Sequence, residues 1–105
     1  MADEAVELRE KVLSELDLNL LVTFAVLFRE TNVSKAAQCL SIGQPAVSNA
    51  LGKLRRYFND PLFTRGYRKM CPTPKAIQLA RDIVPALGLV QKTVLSITDA
   101  DNEHI

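Results

Sequence analysis

The chain has 105 residues, 48% hydrophobic and 24% charged, which suits one small globular domain and leaves no room for two. Its formal net charge of +1 excludes a uniformly basic polyanion binder, but the charge is unevenly laid out. Residues 1–33 carry three basic and seven acidic side chains, residues 34–81 nine basic and one acidic (Asp60), and residues 82–105 one basic and four acidic.

A basic middle between acidic ends is the footprint of a face that meets phosphate, unless the clustering belongs to an ordinary solvated surface. No apolar run approaches the roughly 20 residues that cross a bilayer. The start, MADEAVELREKVLSELD, lacks the basic stretch and apolar core of a secretory signal. Cys39 and Cys71 stand apart and His104 is the single histidine, so neither zinc spacing nor a disulfide framework is present. A cytoplasmic location is the simplest expectation, with no metal and no cofactor.

Residues 1–16 read as an acidic N-terminal extension. From Leu16 the apolar residues follow a helical period: Leu20, Phe24, Leu27 and Phe28, with Leu21 and Ala25 alongside, and Asp17 able to cap the start. The stripe stops near Thr31-Asn32. Ser34 reads as the N-cap or a first-turn residue of a second helix, where Ala36, Ala37 and Leu40 recur and the alanines permit close approach of a neighbour. Ser41-Ile42-Gly43 breaks the pattern, with Gly43 able to take a positive φ. Gln44-Pro45 opens a third helix, since proline is accepted in a first turn. Val47, Ala50, Leu51, Leu54 and Phe58 form one face of it and Gln44, Ser48, Asn49, Lys53 and Arg56 mostly the other, with an end expected at 57–59.

Residues 62–65 and 69–71 read as the strands of a hairpin around Gly66-Tyr67-Arg68. Thr73 then caps, and Pro74 opens, a last helix with a wide apolar face that includes Ile77, Leu79, Ala80, Ile83, Val84, Leu87, Val90, Val94, Leu95 and Ile97. Residues 99–105 read as a flexible tail. The expected fold is mainly α with a small β-hairpin wing: a winged helix-turn-helix over 17–73, followed by a long linker helix over 74–98.

In a helix-turn-helix the second paired helix enters the major groove N-terminus first. Gln44 and Asn49 can each reach the N6/N7 edge of adenine, Ser48 serves base or phosphate, and Pro45 or Ala46 can touch a thymine methyl. Capping and solvation of the helix explain Gln44 and Ser48 equally well on periodicity alone. Ser34 and Lys35, at the start of the second helix, suit backbone phosphate, as do Lys53 and Arg56 further along the third. Arg65 and Arg68 flank the hairpin tip, where an arginine can enter a narrow, electronegative minor groove. Each cation taken singly also fits an ordinary solvated surface. The basic region holds no pair of carboxylates and no nucleophile beside a base, so an enzyme is not expected.

The run Leu18-Asn19-Leu20-Leu21, Val33-Ser34-Lys35-Ala36-Ala37, Leu40, Gln44-Pro45-Ala46-Val47-Ser48, Leu54, Leu62-Phe63-Thr64-Arg65, Arg68 and Thr73 resembles the N-terminal domain of LysR-type transcriptional regulators. Residues 58–63 and Pro72-Thr73-Pro74 resemble the branch with nodulation regulators and LeuO-like regulators. The likeness covers about residues 17–96. It implies base contact for Gln44, Pro45 and Ser48, a wing role for Arg65, and a phosphate-binding as well as capping hydroxyl at Thr73. Where relatives commonly carry arginine after that serine, this chain has Asn49, so base preference there should differ, toward adenine. Gly52 inside the recognition helix, Arg55 at a position often acidic, and Pro85 inside the linker helix also depart from the pattern. The resemblance implies a homodimer through the linker helix, using Ile77, Val84, Leu87, Val90 and Val94, on double-stranded DNA. Members usually continue into a co-inducer-binding domain that nothing here can form, so ligand response is not expected of this chain. A competing expectation is an interaction module that pairs with full-length relatives without productive DNA binding.

Overall fold

A computed structural model describes residues 7–103. Within it, α1 (Glu10–Glu15) is an addition to the expected elements: it buries no residue, and Val12 and Leu13 stay exposed, so no core-facing stripe marks it in the sequence. α2 (Leu18–Glu30) begins as expected, with the Asn19 N–H donating to Asp17 Oδ1 at 2.9 Å. Phe24 and Leu27 are its buried ridge, flanked by half-buried Leu20 and Phe28. Buried Thr23 donates its hydroxyl to the Asn19 carbonyl at 3.1 Å, so it adds no unpaired polar group to the core.

α3 (Val33–Leu40) is capped by Asn32, whose Oδ1 accepts from the Lys35 N–H at 2.8 Å, and Ser34 lies in the first turn. Ala36 and Ala37 are buried, and their small side chains bring α3 close to its neighbours. The turn that follows corrects one expectation. Ser41, not Gly43, takes the left-handed conformation (φ 57), which turns the next N–H, that of Ile42, back onto the Ala37 carbonyl at 3.1 Å. Gly43, at φ −79, is instead the extended N-cap of α4 (Gln44–Phe58). Pro45 sits in the first turn of α4, Val47, Leu51 and Leu54 are buried, and left-handed Asn59 (φ 52) ends the helix.

The wing pairs β1 (Phe63–Arg65) with β2 (Met70–Pro72) in antiparallel register, Phe63 opposite Pro72, Thr64 opposite Cys71 and Arg65 opposite Met70. β1 starts one residue later than expected and ends where expected, and β2 is shifted one residue later as a whole. Leu62 is excluded because its φ is 64 and the Phe63 N–H closes on the Pro61 carbonyl at 2.6 Å. That is a γ-turn of the rare, positive-φ kind, a strained backbone worth about 1–3 kcal/mol. Burial of the whole Leu62 side chain offsets the strain. So do its backbone bonds: its N–H to Asp60 Oδ2 at 2.8 Å and its carbonyl from the Thr73 N–H at 2.9 Å. Pro72 is tolerated in the strand for a related reason. Thr73 bonds to Leu62 and Gly66 to Lys69, so the alternation of the ladder makes Phe63 and Pro72 a pair that exchanges no bonds.

α5 (Pro74–Glu103) is capped as expected, the Thr73 hydroxyl oxygen accepting from the Ala76 N–H at 3.1 Å. The helix continues past the expected boundary at 98, through Glu103, where a flexible tail is expected; residues 104–105 lie outside the described residues. Pro85 lies within it without ending it. Ala76 and Ala80 pack into the core with Phe24, Leu27, Leu54 and Phe63. The Phe63 ring centre is 5.8 Å from that of Phe24, so the root of the wing reaches the centre of the domain. No helix among the described residues is long and apolar enough to cross a membrane.

Candidate nucleic-acid interface

The buried side of α4 dictates what its other side can do. With Val47, Leu51 and Leu54 locked in the core, Gln44, Pro45, Ala46, Ser48 and Asn49 are all held outward and exposed, followed by exposed Lys53 and Arg56. The starts of α3 and α4 lie together: Gln44 Nε2 donates to Ser34 Oγ at 3.2 Å, and Lys35 is exposed beside them. Two helix N-termini, the positive ends of their dipoles, thus meet at one place with a lysine. Gln44 is therefore both a tie between helices and a presented amide, since its carbonyl oxygen is not used by that bond. Arg56 lies back over the helix, its guanidinium 3.6 Å from where a β-carbon on Gly52 would stand. That spacing is ordinary contact, so Gly52 is a tolerated surface glycine and no backbone need for it is visible.

At the wing, Arg65 and Arg68 are exposed as expected. Tyr67, placed at the hairpin tip but not among the expected contact residues, is the most outlying apolar side chain of the wing at 82% exposure, and the Arg68 guanidinium lies 5.0 Å from its ring centre. Its signal is simple: an aromatic residue between Gly66 and Arg68, at a tip with no core to enter. Gly66 is required by close packing, because a β-carbon there would stand 2.5 Å from Cys71 Sγ and 3.0 Å from the Lys69 carbonyl oxygen.

Two cations counted in the basic region turn out to serve the fold. Arg55 is exposed like Lys53 but its guanidinium is engaged: Nε donates to the Pro61 carbonyl at 2.7 Å and Nη2 to the Phe63 carbonyl at 2.9 Å. Lys75 reaches from α5 to the Phe58 carbonyl at 3.4 Å, at the end of α4. Thr73 is likewise engaged. Its hydroxyl donates to Asp60 Oδ2 at 2.7 Å while accepting from Ala76, so the proton that a phosphate contact needs is already given away. The Thr73 hydroxyl, the Leu62 N–H and the nearby Lys75 charge together hold the Asp60 carboxylate below the usual carboxylate range.

On α5, Ile77, Val84, Val90 and Val94 are exposed and Leu87 is half-buried. Leu89, Leu95 and Ile97 are exposed as well, so beyond Pro85 the helix displays apolar side chains over most of its surface, Val90 at 60% exposure. Among the described residues no group of three or more His, Cys, Asp or Glu side chains is placed to hold a metal ion.

A family model described as a bacterial regulatory helix-turn-helix protein of the lysR family matches residues 18–77. Nodulation protein D 1 of Rhizobium leguminosarum bv. phaseoli is 47% identical over 81 residues, covering 77% of this chain and 26% of its own. The HTH-type transcriptional regulator LeuO of Escherichia coli (strain K12) is 46% identical over 88 residues, covering 84% of this chain and 28% of its own. The chain thus spans about a quarter of the length of these curated relatives. Among solved structures, a probable transcriptional regulator from Pseudomonas aeruginosa (PA0477) superposes with a TM-score of 0.78 at 41% identity, over 82% of this chain and 29% of the other. The BenM_DBD/catB site 1 DNA complex superposes with a TM-score of 0.71 at 28% identity, over 81% of this chain and 93% of the other.

Proposed function

Since the chain belongs to the lysR family of bacterial regulatory helix-turn-helix proteins, we propose that it regulates transcription by binding duplex DNA as a homodimer. In this reading α4 enters the major groove, the wing meets the minor groove, and α5 pairs two copies. The observation that carries it is the division of α4. Gln44, Pro45, Ala46, Ser48 and Asn49 stand exposed together because Val47, Leu51 and Leu54 hold the opposite face in the core. Gln44, Ser48 and Asn49 read base edges, and Pro45 and Ala46 take thymine methyls. Ser34, Lys35, Lys53 and Arg56 position the helix on phosphates, while Arg65 and Arg68 follow the minor groove. The engaged hydroxyl of Thr73 leaves it to the fold. A solved neighbour at TM-score 0.71 is a DNA complex, which supports DNA as the partner of this chain.

The dimer rests on the apolar side chains of α5, Ile77, Val84, Leu87, Val90 and Val94, which one domain of this size leaves largely in water. A two-fold pair of α4 helices would then read half-sites spaced by about one or two turns of DNA. No co-inducer is expected to bind these residues, and the exposed α5 also suits pairing with full-length relatives.

Selection of bound sites from random duplexes, with a size measurement of the free protein, tests the reading. A defined site whose log affinity falls linearly with log salt is expected. Gln44→Ala should reduce discrimination between sites by about 1–3 kcal/mol, whereas Lys53→Ala should weaken all duplexes alike. Binding indifferent to salt, or equal losses on selected and random DNA for both variants, overturns the division of roles. A monomer that forms only mixed dimers with a full-length relative supports the interaction-module reading instead.

A further inference from the structure

We propose that Arg55 is a positioning residue that fixes the wing against the recognition helix and so sets where Arg65 and Arg68 meet DNA. The proposal rests on the reading of the wing as a DNA-contacting element. Its carrier is the geometry at the wing's root. The backbone there turns through Leu62 at φ 64, and the strained turn aims the Pro61 and Phe63 carbonyls so that one guanidinium reaches both, at 2.7 and 2.9 Å. Phe63 and Pro72 exchange no ladder bonds, so the Phe63 carbonyl points away from β2 and draws nothing from the hairpin itself. Arg55 supplies that donor, and it does so from α4, one residue before Arg56 and two after Lys53. The other edge of the hairpin is held in the same manner, by the Met70 N–H donating to the Thr31 carbonyl at 3.0 Å.

Beyond these two ties the distal wing has little to hold it. Thr64, Arg65, Tyr67, Arg68 and Lys69 are exposed, and the buried anchors, Leu62 and Phe63, lie at the root. A neutral side chain at 55 takes the charged donor from the Phe63 carbonyl, leaves the Pro61 carbonyl with the Phe63 N–H alone, and frees the strained turn to relax. The wing then pivots relative to α4, while α4 keeps its own core contacts through Val47, Leu51 and Leu54. Lysine retains the charge but offers a single point donor in place of a planar fork, so it can serve one carbonyl well and not both.

The test begins with the free protein. Amide exchange of residues 64–71 should rise at least tenfold in Arg55→Gln, and less in Arg55→Lys, with the amides of α2 and α4 unchanged. Wing exchange equal to that of the parent chain overturns the proposal whatever the protein does with DNA. If Arg55→Gln fails to fold, Arg55→Lys carries the same comparison. The second arm is a double-mutant cycle on a duplex selected with the parent chain, using Arg65→Ala as the direct wing lesion. Arg55→Gln should lose about tenfold in affinity and lose minor-groove protection under the wing, while major-groove protection under α4 persists. In the Arg65→Ala background the same change should cost little more, because the contact it positions is already gone. Fully additive losses overturn the positioning role and place Arg55 on the DNA or in general stability. An Arg65→Ala variant that binds like the parent sinks the wing reading itself, and the exchange data then show separately whether Arg55 holds the hairpin.

Discussion

α4 and the wing are the two parts of the molecule that face outward with charge, yet they are held in place by different physics. α4 is set by three buried aliphatic side chains in a close-packed core, where shape leaves one arrangement. The wing is plugged at its root by Leu62 and Phe63 and is otherwise tied by directional bonds: at the root Arg55 to two carbonyls and Asp60 to Leu62 and Thr73, and further out Met70 to Thr31. A core-held helix loses position only when the whole domain loosens. A hairpin held by hydrogen bonds can move alone, at small cost, and can therefore be tuned without disturbing the fold.

The largest effect that would sharpen this contrast is expected from Leu54→Ala. Leu54 is fully buried in α4, so the cavity should remove about 2–5 kcal/mol of stability. A thermal melt should show one cooperative loss shared by helices and wing; a variant that loses only the wing would break the comparison. Gly66→Ala comes next, since its β-carbon meets Cys71 Sγ at 2.5 Å and the Lys69 carbonyl at 3.0 Å. Overpacking of this kind costs about 1–3 kcal/mol. It should appear in the wing amides, and Gly66→Ala with Cys71→Ala should recover part of it.

Gly52→Ala points the other way. The new methyl makes only ordinary contact with Arg56, and alanine in a helix interior gains about 0.5–1 kcal/mol over glycine. A higher melting temperature with unchanged affinity is the expected pair of readings, and weakened DNA binding would show that backbone approach at Gly52 matters. The smallest effect concerns pH. Asp60 has a depressed pKa in the folded chain, so its contribution is fully present above the ordinary value near 3.8 and is lost as pH falls through the lower folded value. Asp60→Asn should therefore flatten the dependence of stability on pH below about 4, with little change near neutrality. A parent-like acid slope in that variant would remove Asp60 from the set of wing ties.

Much of this arrangement is legible in the chain before it folds. The caps at Asp17 and Thr73, the start of α4 at Gln44-Pro45, its end before Asp60-Pro61, and the exposed rank from Gln44 to Asn49 all follow from side chains acting within a few residues of themselves. The same holds for the basic middle and for the family likeness. The reading fails where helix-end geometry or packing overrides residue type. Gly43 carries the residue type for a left-handed turn, but the end of α3 puts that conformation on Ser41. Leu62 has every mark of a strand residue, yet it is folded into a strained turn by core burial, Asp60 and Thr73.

The sequence by itself determined the four helices that build the domain, which sides of them are apolar and where the positive charge gathers, though not α1 or the full length of α5, because periodicity, capping and charge are local properties. Only the tertiary structure decided which cations are free and which are engaged. Arg55, Lys75 and the Thr73 hydroxyl are indistinguishable in the sequence from phosphate-binding groups, and all three are taken up by carbonyls or a carboxylate from another part of the chain. The physical reason is that a donor's role depends on the acceptors within about 3 Å of it, and those acceptors are brought there by packing of segments that no local rule relates.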